Sequence, residues 1–155
     1  MKAEKGDIIF AIKYKGTYLH YGVYIGNGHV IHYRTEDYND NTWSHAKIIE
    51  TSLKEFAHGS PVYREPEHKG ANWFDFSTVR AAKKMLGTGL GEYELLHNNC
   101  EHFANYCMYG KKVSRQINRI FNKFKLFSPP LLTIIENYVH NNYIIPKNCE
   151  QIDIV

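Results

Sequence analysis

The sequence predicts an α+β domain, an antiparallel β-sheet packed against helices, with strands gathered in the first third of the chain and helices after it. Two patterns predict this. Residues 6–33 are dense in β-branched and aromatic side chains and carry the hairpin signal Gly26-Asn27-Gly28. From Ser77 onward, apolar residues recur at spacings of three and four with Gly at the expected stops. In chain order, Gly6 to Ile12 (GDIIFAI), Thr17 to Ile25 (TYLHYGVYI) and His29 to Tyr33 (HVIHY) read as three strands. Arg34 to His45 turns polar, as a surface loop does. Lys47 to Thr51 and Pro61 to Arg64 are candidates for further strands, and Leu53, Phe56 and Ala57 between them suit a short helical turn. Ser77 is placed to cap a helix over Thr78 to Leu86, stopped by Gly87. Asn98-Asn99-Cys100-Glu101 has the form of a capping box with Asn98 as the cap, and Phe103, Ala104, Cys107 and Met108 give the helix that follows an apolar face ending at Gly110. Val113, Ile117, Ile120, Phe121, Phe124 and Phe127 suggest a third helix, halted by Ser128-Pro129-Pro130. With no internal repeat, residues 1–127 form one domain and 128–155 a tail that adds one helix or strand.

Composition excludes several classes. The 155 residues are 43% apolar and 23% charged, enough for one core. A formal charge of +3 is too small to hold nucleic acid by bulk attraction, and we expect no nucleic-acid partner. Three cysteines without a Cys-x-x-Cys pair make no disulfide framework, and the first residues lack the apolar run of a signal peptide. A cytoplasmic chain with free thiols is expected. No apolar run approaches the roughly 18 residues of a membrane span, which leaves peripheral attachment open.

Cys100 is the first candidate for chemistry. As the second residue of its helix it would meet unpaired backbone N–H groups and the positive end of the helix dipole, both of which favour a thiolate. The competing reading, a small apolar core residue, suits Cys107 and Cys149. A thiolate nucleophile needs a base and a polar group to orient that base. His20 and His32 lie on either side of the Gly26-Asn27-Gly28 turn, so hairpin register decides whether they meet. A two-residue loop, Asn27-Gly28, puts them on opposite faces. A three-residue loop with Gly28 left-handed sets Gly22 opposite His32 and makes the two histidines diagonal neighbours, with space over Gly22 for Cys100 and a reacting group. The other histidines, His29, His45, His58, His68, His97, His102 and His140, read mostly as surface residues; none has zinc-site spacing, and we expect no metal and no cofactor.

His20-Tyr21-Gly22-Val23-Tyr24-Ile25-Gly26 followed by His32, then Asn99-Cys100-Glu101-His102-Phe103 and Tyr109-Gly110, resembles the lecithin:retinol acyltransferase family. That family includes small phospholipase A/acyltransferase proteins and belongs to the permuted, NlpC-type papain-like thiol enzymes. The resemblance spans Gly6 to about Gln116. It implies a papain-like fold with the nucleophile at a helix N-terminus, Cys100 as nucleophile, His20 as general base, His32 as the residue that orients it, and Tyr18 at an aromatic position that supports the oxyanion. The implied reaction is thiol acyl transfer or phospholipase A hydrolysis on glycerophospholipid. The acyl group rests on sulfur before water, an amine or an alcohol removes it. A thiol peptidase or amidase, and a non-catalytic interaction module on the same fold, are the competing readings.

Lys111 to Phe127 carries six basic residues, Lys111, Lys112, Arg115, Arg119, Lys123 and Lys125, and no acidic one. The remainder has 13 basic against 16 acidic residues, so the modest net charge conceals one concentrated basic segment. With its apolar stripe it reads as an interfacial helix on anionic lipid, or equally as a packed helix with a solvated basic face.

Overall fold

Six antiparallel strands form one sheet in the order β4-β3-β2-β1-β5-β6: β1 (Ile8–Lys13), β2 (Tyr18–Gly26), β3 (His29–Arg34), β4 (Lys47–Ser52), β5 (Val62–Arg64) and β6 (Glu150–Gln151). With α1 (Leu53–Ala57), α2 (Asp75–Lys84) and α3 (Cys100–Tyr109) they make the expected α+β arrangement. The computed structural model describes residues 1–13, 18–35, 43–65, 75–94, 98–118 and 148–154.

Strand alternation divides the sheet into two buried faces. Ile8, Phe10, Leu19, Tyr21, Val23, Ile31 and Tyr33 face α2 and α3, packing on Val79, Ala82, Cys100, Phe103, Ala104 and Cys107. Ile9, Ala11 and Val30 point the other way, onto Leu53, Phe56 and Ala57 of α1 and Ile152 beyond β6. The end of the chain thus returns to the sheet, where β6 pairs with β5 and the Ile152 N–H donates to the Val62 carbonyl (2.8 Å).

The β2–β3 hairpin combines the two loops that the sequence offered as alternatives. Asn27 and Gly28, at φ 53° and 75°, form the two-residue tip, and Gly26 pairs with His29. That tip alone would part the histidines. Between Gly26 and Tyr24 the register shifts through a bulge on β2, after which Tyr24 pairs with Val30, Val23 with Ile31 and Gly22 with His32. One inserted residue restores the face that the two-residue loop would have reversed.

Two helix starts differ from expectation by a few residues. α2 begins at Asp75, ahead of Ser77. The α3 capping box is shifted by one: Asn99 is the cap, its side chain accepts from the Glu101 and His102 N–H groups, and His102 rather than Glu101 closes the box by accepting the Asn99 N–H. Cys100 is therefore the first helical residue, and His102 is a buried capping group, not a surface one. Adjacent Asn residues leave the choice of cap open in sequence, and packing makes it.

The basic segment is not helical where it begins. Residues 111–114 are irregular, and helix starts only at Arg115, because Ser114 caps it by accepting the Ile117 N–H (3.2 Å). Arg119, Lys123 and Lys125, the stripe beyond Ile117 and the first part of the tail lie outside the described residues.

Candidate active site

His20 and His32 project from neighbouring strands onto the α1 face of the sheet and are both buried. His20 Nε2 and His32 Nδ1 are 2.8 Å apart. His32 Nε2 lies 3.0 Å from Thr51 Oγ1 on β4, and the Thr51 hydroxyl donates to the Ser52 carbonyl (3.3 Å). The Phe56 ring closes over both imidazoles, with centroid distances of 5.3 Å to His20 and 5.2 Å to His32. Gly22 makes this possible in a way opposite to expectation. The space above it is not open for a reacting group; a Cβ there would stand 2.6 Å from Val30 Cγ1 and 2.9 Å from Phe56 Cε2. The missing side chain admits Phe56, which then fixes the rings.

Lys13 fixes Phe56 in turn. Its Nζ donates to the carbonyls of Phe56 (2.7 Å) and Ala57 (2.6 Å), where a cation meets the negative end of α1. Burial, with Arg34 beside it, brings the Lys13 pKa down to about 8. Burial is also the main reason that both imidazoles resist protonation. His20 is held well below the ordinary histidine range, with further contributions from His32, Arg34 and Lys13, and His32 is lowered to about 3, with further contributions from Arg34 and Lys13. At neutral pH both rings are uncharged, the state in which an imidazole accepts a proton.

Cys100 approaches from the other side. It stands at the N-terminus of α3, fully buried in the helix-facing core. The β2–β3 ladder stops at Gly22 and His32, and the next N–H along β2, that of Tyr21, donates to Cys100 Sγ (3.5 Å). The sulfur thus sits where the two strands part, on the backbone of the residue that follows His20. A donor to sulfur and a helix N-terminus both favour the thiolate. Cys107 packs one helix face beneath, its thiol pushed up to about 12 by burial, as an inert core cysteine should be. Tyr18 opens β2, but its side chain lies outside the described ones.

The residue after Cys100 anchors what comes next in the chain. Glu101 is completely buried, and its carboxylate accepts from Ser114 Oγ (2.5 Å), the Arg115 N–H (2.8 Å) and Gln116 Nε2 (3.2 Å). Arg115 is ion-paired with the buried Glu65. Arg115 is therefore spent on the core, whereas Lys111 and Lys112 remain exposed. Among the described residues, no three His, Cys, Asp or Glu side chains gather as a metal ion would require.

Residues 1–113 match the family model described as lecithin retinol acyltransferase. The chain belongs to the lecithin retinol acyltransferase family. It is 28% identical to the mouse lecithin retinol acyltransferase over 145 residues, covering 79% of this chain and 61% of that protein. It is 30% identical to the rat phospholipase A and acyltransferase 1 over 124 residues, covering 74% and 72%. The chain thus spans about three-fifths of the lecithin retinol acyltransferases it matches. No described helix is long and apolar enough to cross a membrane.

Within this family member, the sequence did not point to Thr51, Phe56, Lys13 or Glu101. Thr51 and Lys13 become visible only through strand register. Phe56 carried one local signal, an apolar residue in a short helix, with the bare Gly22 as its counterpart. Glu101, which the spacing assigns to the cap of its own helix, instead accepts from Ser114, Arg115 and Gln116 at the start of the next helical turn.

Proposed function

We propose that this protein is a thiol acyl-transfer enzyme, an acyltransferase or phospholipase A acting on glycerophospholipid, with Cys100 as nucleophile, His20 as general base and His32 as the group that orients it. The observation that carries this reading is the hydrogen-bonded pair of neutral histidines one residue along β2 from the N–H that holds Cys100 Sγ. Membership of a family whose relatives are named acyltransferases and phospholipases supports it.

In the first step Sγ attacks the ester carbonyl carbon as its proton passes to His20. The C–O bond then breaks and the proton goes to the departing alcohol, leaving an acyl thioester on Cys100. In the second step water, or an amine or alcohol acceptor, gives its proton to His20 and attacks the thioester, and the proton returns to sulfur. On this reading the Cys100 N–H at the start of α3 stabilises the oxyanion in both steps, with Tyr18 assisting it as the family resemblance implies. Because Cys100, His20 and His32 are all buried, an ester reaches sulfur only when the groups covering it part. The exposed Lys111 and Lys112 supply contact with an anionic membrane surface.

Intact-mass spectrometry after incubation with phosphatidylcholine vesicles tests this directly. The wild type should gain one acyl group, released by hydroxylamine, and Cys100→Ser should gain no such group. A folded Cys100→Ser or His20→Ala variant that releases fatty acid at the wild-type rate would refute the assignment.

A further inference from the structure

We infer that Thr51 is a positioning residue whose hydroxyl sets the tautomer of His32 and, through it, that of His20, so that His20 presents Nδ1 to the Cys100 proton. This rests on the acyl-transfer reading above.

A threonine hydroxyl has a single hydrogen. The Ser52 carbonyl, 3.3 Å from Thr51 Oγ1, takes that hydrogen, and with it so directed the hydroxyl accepts toward His32, giving the N–H in the 3.0 Å contact to His32 Nε2. A neutral imidazole carries one N–H, which makes His32 Nδ1 an acceptor. His20 Nε2, 2.8 Å away, must then donate, and the acceptor nitrogen of His20 is Nδ1. Three contacts therefore transmit one polarity from a main-chain carbonyl on β4 to the base on β2.

The opposite polarity is equally compatible with the same ring positions. If His32 carried its hydrogen on Nδ1, it would donate to His20 Nε2, and His20 would hold its hydrogen on Nδ1, where the thiol proton has to go. Nothing in the ring packing chooses between these states, because Phe56 contacts both imidazoles through an apolar face. Burial, with Lys13 and Arg34 adding to it, keeps both rings neutral, so each carries a single hydrogen. The hydroxyl on β4 is the asymmetric element.

Thr51→Val keeps the β-branched shape and removes the hydroxyl, whereas Thr51→Ser keeps the hydroxyl and removes the methyl. Long-range 1H–15N spectra of the 15N-histidine-labelled protein read the tautomers directly. Acylation by phosphatidylcholine vesicles reads the consequence. In the wild type and Thr51→Ser, both rings should carry hydrogen on Nε2. In Thr51→Val a substantial fraction of His20 should shift its hydrogen to Nδ1, with thioester formation slowed about tenfold at unchanged KM, the scale of one lost hydrogen bond. The inference is overturned if Thr51→Val keeps both Nε2–H tautomers, if it acylates as fast as the wild type, or if Thr51→Ser behaves like Thr51→Val. Should the wild type take up no acyl group at all, the acyl-transfer reading falls, while the tautomer spectra still decide the role of Thr51.

Discussion

Gly22→Ala should damage this protein more than its chemistry suggests. Gly22 has no left-handed φ, so its backbone raises no objection to a side chain, and in an ordinary strand the change to alanine would stabilise by about 0.5–1 kcal/mol. Here the new methyl would lie 2.6 Å from Val30 Cγ1, 2.9 Å from Phe56 Cε2 and 3.2 Å from the Ile31 carbonyl oxygen. The carbonyl belongs to the sheet, and Val30 and Phe56 are both fully buried, so the methyl has to displace both side chains within a packed core. Overpacking of this kind costs about 1–3 kcal/mol, and with clashes this close the upper part of that range applies, so after the strand gain a net loss of about 1–2 kcal/mol remains. In a domain of this size that lowers Tm by roughly 2–8 °C. Moving Phe56 also unseats the two imidazoles it covers, so acyl transfer should fall together with stability. Urea unfolding followed by far-UV circular dichroism measures the loss. Combining the change with Phe56→Leu should recover roughly 0.5–1 kcal/mol of it, because the two sites share one contact. Strict additivity of the two substitutions, or a Gly22→Ala protein as stable as the wild type, would show that Phe56 does not fill the space over Gly22.

The buried neutral histidines make stability depend on pH. Their folded pKa values lie below the unfolded value near 6.5, so the stability they contribute is complete above about pH 6.5 and is lost as pH falls toward the folded value, about 3 for His32. Each ring adds a slope of up to about 1.4 kcal/mol per pH unit in that window, and His32→Gln should flatten the curve of unfolding free energy between pH 7 and pH 5; equal slopes in the two proteins would contradict this. Glu101→Ala removes the acceptor for Ser114, Arg115 and Gln116 and should cost about 2–4 kcal/mol, with faster hydrogen exchange at the Arg115 and Gln116 amides; unchanged protection there would rule out the capping role. Lys111→Glu with Lys112→Glu should weaken flotation with phosphatidylserine vesicles by at least about tenfold, from about 1 kcal/mol per basic residue at the surface. Arg115 has to stay unaltered in that experiment, since its substitution would strand the buried Glu65.

The sequence by itself determined the fold class, most of the elements to within a residue or two, and the residues worth attention. β1 to β4 follow from β-branched and aromatic runs, and the start of α3 follows from its Asn cap. These are local signals, carried by side-chain type and spacing within a few residues. The sequence also reduced the His20 and His32 question to hairpin register, and stopped there, because Asn27-Gly28 and Gly26-Asn27-Gly28 are both good turns. Tertiary structure decided it. With both faces of the sheet buried, slipping β3 by one residue would drive every apolar side chain to the wrong side, so a bulge behind the two-residue tip is the cheaper solution. The same physics explains what was misjudged or missed. Space over Gly22 is claimed by Phe56 from α1, Arg115 is drawn to Glu65 some 50 residues away, and Thr51 reaches His32 only because β4 pairs beside β3. Local spacing names a helix or a nucleophile; which side chain stands against which is fixed by packing between distant segments, and that is where the candidate site acquires its polarity.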